Sequence, residues 1–147
     1  SEQITGKVTA AQALWALGEL EGKRDAVARR AKGALKSLAG LLKEEGVEAQ
    51  LAAAGTLGCL ALNAETRELI GGTEGAISGL AGLLLSADRG VVMAAAAALG
   101  FLAYSPPVAA RVASMDGAIS GLVRGVAQMN DPDVQGYAAG ALGNLAN

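Results

Sequence analysis

Large aliphatic residues recur along this chain with the period of a helix. Leu35, Leu38, Leu41 and Leu42 fall at i, i+3, i+6 and i+7, and Ile77, Leu80, Leu83 and Leu84 repeat that spacing one stretch later. Side chains so spaced share one face of an α-helix, which predicts two helices of about three turns each. A polar break follows each, KEEGVE at 43–48 and SADRG at 86–90. Beyond each break a longer, alanine-rich helix is predicted, ending at a Leu-Gly-x-Leu phrase. The clearest helix start is NDPDVQ at 130–135, where Asp131 suits an N-cap and Pro132 suits the first helical position. Shorter helices are predicted over AETRELIG at 64–71 and PVAARVAS at 107–114. The elements then read short, medium and long helix, in that order, and no strand is expected.

The elements come in copies. GAISGL stands at 75–80 and again at 117–122, and GALKSL at 33–38 lies 42 residues before the first copy. Leu-Gly-x-Leu occurs as LGEL at 17–20, LGCL at 57–60, LGFL at 99–102 and LGNL at 142–145, with steps of 40, 42 and 43. Drift of this size is what loops of variable length produce, and such a period marks a repeat architecture. Residues 1–22 supply a third helix alone, and units follow at 23–63, 64–104 and 105–147, as one repeat domain expected to be part of a longer solenoid. No polar cap is visible at either end. Val123, Val126, Met129, Leu142 and Leu145 therefore predict an apolar C-terminal face, to be covered by further repeats or by another copy of the chain.

Composition narrows the chemistry. With 52% hydrophobic and 18% charged residues, the 147-residue chain can bury a core. Aromatic residues number only four, so small side chains must pack helices closely. A formal charge of -2 gives no general attraction to nucleic acid, which is disfavoured as a partner. The single cysteine, Cys59, forms no internal disulfide and suits a reducing compartment, so an intracellular location, cytoplasmic or nuclear, is expected. The apolar run from Val91 to Ala103 is shorter than the roughly 18 residues of a membrane-spanning helix. Histidine is absent, and neither a metal-ligand cluster nor an activated nucleophile is legible, so the expectation is a non-enzyme with no cofactor and no metal.

Three helices in about 42 residues, with Gly-Ala-Leu/Ile opening the second and an alanine-rich third ending near L-x-N-L, resemble the armadillo repeat. GAISGLVRGVAQMNDPDVQGYAAGALGNLAN, residues 117–147, is similar to a family repeat along its whole length, and WALGEL at 15–20 resembles a third-helix phrase of importin-α-type repeats. The resemblance implies an all-α, right-handed α-solenoid that acts as a protein-protein interaction scaffold. It also implies a concave surface of third helices, in which the Asn of L-x-N-L holds the backbone of an extended peptide. Only Asn144 matches that Asn; Glu19, Cys59 and Phe101 replace it elsewhere. Of the Trp positions one turn earlier only Trp15 matches, against Gly55, Ala97 and Gly140. One further turn back stand Leu51, Met93 and Gly136. The expected partner-binding groove thus contains Trp15, Glu19, Leu51, Cys59, Met93, Phe101, Gly140 and Asn144. Its apolar lining favours an amphipathic helix, or a second copy of the chain, over an extended peptide.

Other readings of the same residues stand beside this one. Met93 and Phe101 also suit a plain core, Trp15 a packing residue, Asn144 a local backbone partner and Cys59 a structural thiol. The segment from Lys23 to Lys36 holds half of all Lys and Arg, namely Lys23, Arg24, Arg29, Arg30, Lys32 and Lys36, against one acid, Asp25. It supports an alternative function, binding of nucleic acid or another acidic partner, against the plainer reading of a solvated helix face. Gly18, Gly58, Gly100 and Gly143 sit inside long helices, where each costs roughly 1 kcal/mol relative to Ala. A close approach of neighbouring helices is the expected compensation.

Overall fold

The computed structural model describes residues 24–146, with side chains from Ala31 onward. Eight helices follow one another in it: α1 (Arg24–Leu41), α2 (Val47–Leu60), α3 (Ala64–Gly71), α4 (Ala76–Leu83), α5 (Arg89–Leu102), α6 (Pro106–Ser114), α7 (Ala118–Ala127) and α8 (Pro132–Ala146). Local chemistry sets their starts. The Asn63 side chain accepts from the backbone N–H groups of Glu65 and Thr66 ahead of α3. Asp88 accepts from Val91 ahead of α5, and Asp131 from Asp133 and Val134 ahead of α8. These carboxylate and amide oxygens satisfy donors that a helix N-terminus leaves without intrahelical partners. Pro106 and Pro132 open α6 and α8, where the missing N–H costs nothing.

The repeated hexapeptide has a position-by-position explanation. Gly75 and Gly117 cap α4 and α7 with φ near +85°, a conformation that L side chains rarely adopt. Ala76, Leu80, Ala118 and Leu122 are fully buried. A Cβ on Gly79 would stand 2.8 Å from Leu42 Cδ1, and one on Gly121 would stand 2.8 Å from Leu84 Cβ. Each hexapeptide therefore turns the chain, starts the second helix and opens a seat for a leucine of the preceding unit.

Unit 23–63 departs from the expected three helices. Here α1 runs unbroken through Gly33, which has no positive φ. The difference lies upstream. Arg29, Arg30, Ala31 and Lys32 are good helix formers, whereas Thr73 and Glu74, or Met115 and Asp116, make a turn in which Ala76 and Ala118 donate back to Thr73 and Met115.

Each class of helix packs on its own kind in the next unit. α1, α4 and α7 form one layer, α2, α5 and α8 a second, and α3 packs on α6. The core lies between the layers and consists of Leu, Ile, Val and Ala, including Leu38, Leu57, Leu80, Leu99 and Leu122. At the glycines inside the long helices the approach is close: Gly58 lies against Ala98, and Gly100 against Ala141. Neighbouring backbones meet there, and an alanine on one side faces no side chain on the other.

Candidate functional site

The long helices α2, α5 and α8 lie side by side, so residues at equivalent positions form rows across three helices. The first row is Leu51, Met93 and Gly136. Leu51 is 42% exposed and Met93 is half-buried against the core. The second, Gly55, Ala97 and Gly140, is almost without side chains, and a Cβ on Gly55 or Gly140 would meet nothing within 4 Å. The third is Cys59, Phe101 and Asn144, with Cys59 exposed and the other two half-buried. Six of the eight expected groove residues therefore share one accessible helix layer. Trp15 and Glu19 lie outside the described residues.

Two residues that the sequence reasoning passed over extend this surface by a helical turn. Leu62 is 59% and Tyr104 56% exposed, three residues after Cys59 and Phe101. Their signal was the i+3 continuation of the apolar stripe beyond Leu-Gly-x-Leu. The rings of Phe101 and Tyr104 lie 6.2 Å apart at 36°. Arg67 stacks over Tyr104, its Cζ 5.3 Å from the ring centroid, while its Nε and Nη2 donate to the carbonyls of Ala61 and Leu62. A guanidinium held by backbone carbonyls fixes the ring from one side, so the apolar end of this face is pre-formed.

Asn144 has an employment within the molecule. Its Nδ2 donates to the Gly100 carbonyl at 3.0 Å, in the last turn of the preceding long helix. Carbonyls in that turn lack an intrahelical donor, so the side chain joins α8 to α5. The partner is a backbone carbonyl, but not the local one that the sequence suggested: it lies 44 residues away, in the neighbouring long helix.

In the basic segment, Lys23 is outside the described residues and Arg24, Arg29 and Arg30 lie on α1 without described side chains. Lys32 and Lys36 are exposed on α1, one turn apart. Among the described residues no group of three or more His, Cys, Asp or Glu is placed to hold a metal ion. No helix among them is long and apolar enough to cross a membrane.

No protein-family model and no curated protein matches the sequence. Solved structures do. A designed armadillo repeat protein in complex with the peptide (KR)4 superposes with a TM-score of 0.76 at 23% identity, over 97% of this chain and 62% of that one. Computationally designed armadillo repeat proteins for modular peptide recognition give 0.70 at 22% identity, over 93% and 63%. An engineered protein gives 0.73 at 30% identity, over 83% of this chain and 50% of that one. This chain thus spans between half and just under two thirds of the length of these structures.

Proposed function

We propose that this chain, whose fold is an armadillo-like repeat solenoid, is a non-catalytic interaction module that binds a partner protein through the exposed layer of third helices. The partner offers an amphipathic helix. The observation that carries this reading is the apolar row structure: Leu51, Leu62 and Tyr104 stand exposed, with Phe101 half-buried, on either side of the nearly bare row Gly55, Ala97 and Gly140. A helix can lay its apolar face against such a row, because nothing projects from the middle to hold it away. An extended peptide needs regularly spaced amides for its backbone, and the one asparagine at the relevant positions is bonded to Gly100. One solved structure similar to this chain is in complex with the peptide (KR)4, which supports a peptide or protein as the partner here.

Fluorescence anisotropy with two labelled peptides tests this. One is an amphipathic helix with leucines at i, i+3, i+4 and i+7, and the other is (KR)4. Binding of the first is expected, with a loss of tenfold or more in Phe101→Glu and in Leu51→Glu while far-ultraviolet circular dichroism stays unchanged. Tight binding of (KR)4 that is indifferent to both substitutions would overturn the proposal.

A further inference from the structure

The layer of long helices has two edges, and their chemistry differs. One edge is made by the starts of α2, α5 and α8. The breaks that lead into these helices, 43–48, 86–90 and 130–135, hold six acidic residues against two basic ones, Lys43 and Arg89. Asp88 and Asp131 are engaged as helix caps, and Arg89 is paired with Asp131. Glu48 and Asp133 remain open. Both are exposed, and among the described residues neither carboxylate has a hydrogen bond or an ion pair. They share a row with Gly90, three residues before Leu51, Met93 and Gly136. A Cβ on Gly90 would lie 3.7 Å from Leu51 Cδ1, so the end of that leucine fills the middle of the row.

The other edge, where the long helices end, carries Leu62 and Tyr104, both exposed, with the Arg67 guanidinium over the Tyr104 ring. On α3 with Arg67, Glu68 accepts from the Ser105 hydroxyl and Glu65 has a partner of its own. An acid in the first helical turn suits the helix dipole, which accounts for Glu48 and Asp133 each on its own helix. The contrast between the edges is met by any ligand that lies across all three.

On the reading that this layer binds an amphipathic helix, we propose that the helix carries Lys or Arg along one flank and apolar side chains along the other, and that the two edges fix its direction. Laid along the bare row, a helix turns one flank toward Glu48 and Asp133 and the other toward Leu62 and Tyr104. A cationic flank is attracted at the first edge; at the second it would cover apolar surface with charge beside Arg67. Turning the helix end for end exchanges its flanks, so one direction satisfies both edges and the reverse satisfies neither. Packed helix axes lie about 8–10 Å apart, which puts Glu48 and Asp133 roughly 16–20 Å from each other across α5. At a rise of about 1.5 Å per residue, two basic residues about 11 to 13 positions apart in the partner match them.

Three fluorescent peptides that share one apolar stripe test this on the full chain. The first has lysines on its left flank and apolar residues on its right, the second has these flanks exchanged, and the third is the first with glutamate in place of lysine. Fluorescence anisotropy at low ionic strength should give equal affinities for the first two and one about tenfold weaker for the third, a gap that shrinks below about threefold at about 0.5 M salt. A nitroxide at the peptide N-terminus should broaden the amide signal of Gly55 with one of the first two peptides, and that of Gly140 with the other. Glu48→Gln combined with Asp133→Asn, with circular dichroism checking the fold, should bring the third peptide within about threefold of the first. Equal binding of the first and third peptides to the unaltered chain, or broadening of both glycines by a single peptide, would overturn the proposal. If that happens while Phe101→Glu still abolishes binding, the helix-binding reading stands and the charge and direction assigned here are lost. If no peptide binds, the helix-binding reading fails and this proposal with it.

Discussion

Between the units 23–63 and 64–104, Leu42 seats on Gly79 and Gly58 lies against Ala98; between 64–104 and 105–147, Leu84 seats on Gly121 and Gly100 lies against Ala141. The apolar device is the same at both boundaries. The polar clamps differ: at the first boundary Arg67 donates to the Ala61 and Leu62 carbonyls, and at the second Arg111 donates to the Gly71 carbonyl at 2.9 Å, Arg124 to the Leu84 carbonyl at 2.8 Å and Asn144 to the Gly100 carbonyl at 3.0 Å. A bond from Ser105 to Glu68 and an ion pair between Arg89 and Asp131 also cross it. At the first boundary the positions of Arg111, Arg124 and Asn144 are held by Leu69, Gly82 and Phe101, none of which has a side-chain donor. The three accepting carbonyls of the second boundary lie at helix C-terminal ends, where partners are short and a guanidinium also suits the dipole. Close packing is therefore what makes the units stack, and the clamps are what make one boundary unlike the other.

The largest way to break this comparison is at the packing glycines. Gly100→Leu should cost about 3 kcal/mol by overpacking against Ala141. Gly143→Leu, the same substitution at the same phrase of the next helix, should be neutral or gain up to about 1 kcal/mol of helix propensity. Urea unfolding of both variants measures the difference. Equal effects would mean that the glycines are not there for the neighbouring helix.

The next largest effect concerns the clamps. Arg124→Met keeps the aliphatic stem and leaves the Leu84 carbonyl without its donor, which should cost about 1.5 kcal/mol. Gly82→Arg installs the missing clamp at the first boundary, with Leu42 as the acceptor. It should gain about 1 kcal/mol more than Gly82→Met, which supplies helix propensity without the donor. If the two Gly82 variants melt together, the difference between the boundaries is not one of hydrogen bonding.

What the sequence shows of this molecule follows from how each feature is encoded. Helix existence and order were legible in 3.6-residue spacing, and the caps at Asp131 and Pro132 were written in residue type. Of the Leu-Gly-x-Leu glycines expected at close approaches, Gly58 and Gly100 meet a neighbouring helix, Gly143 meets nothing within 4 Å, and Gly18 lies outside the described residues. The unbroken α1 escaped because the repeat phrase at 33–38 suggested a break, whereas the flanking Arg-Arg-Ala-Lys decides continuity. The clamps escaped altogether. Arg111 and Gly71 are 40 residues apart, as are Arg124 and Leu84, and no local pattern links a side chain to one particular backbone carbonyl. Leu51, Cys59, Met93 and Phe101, expected in a groove, all lie on the long helices α2 and α5, whereas Leu62 and Tyr104 went unread because the reading stopped with the repeated phrase.

Asn144→Ala sharpens the comparison further, since this residue stands where the resemblance puts a ligand contact. A stitch between α8 and α5 predicts a loss of about 1 kcal/mol in urea unfolding and an affinity for the amphipathic peptide changed by less than threefold. A large loss of affinity with unchanged stability would return the residue to the binding surface.

The smallest effect is expected at the ion pair. Arg89 is 74% exposed while Asp131 is 15% exposed, and Arg89 Nη1 lies 3.0 Å from Asp131 Oδ2. An exposed pair contributes roughly 0.2–1 kcal/mol and is screened by salt. Asp131 has a second duty, since its Oδ1 accepts from the backbone of Asp133 and Val134. Arg89→Ala should therefore cost a few tenths of a kcal/mol at low ionic strength and almost nothing at about 1 M salt. Asp131→Ala should cost about 1 kcal/mol more, with that excess surviving salt, because a cap bond to backbone N–H groups persists where a surface ion pair does not. Val47 occupies the position equivalent to Arg89, and Asp88 that of Asp131. Val47→Arg should then bring a gain of a few tenths to the first boundary at low salt alone. A gain that persists in high salt would have to come from helix propensity or packing, and would show that charge is not what separates the two boundaries at this edge.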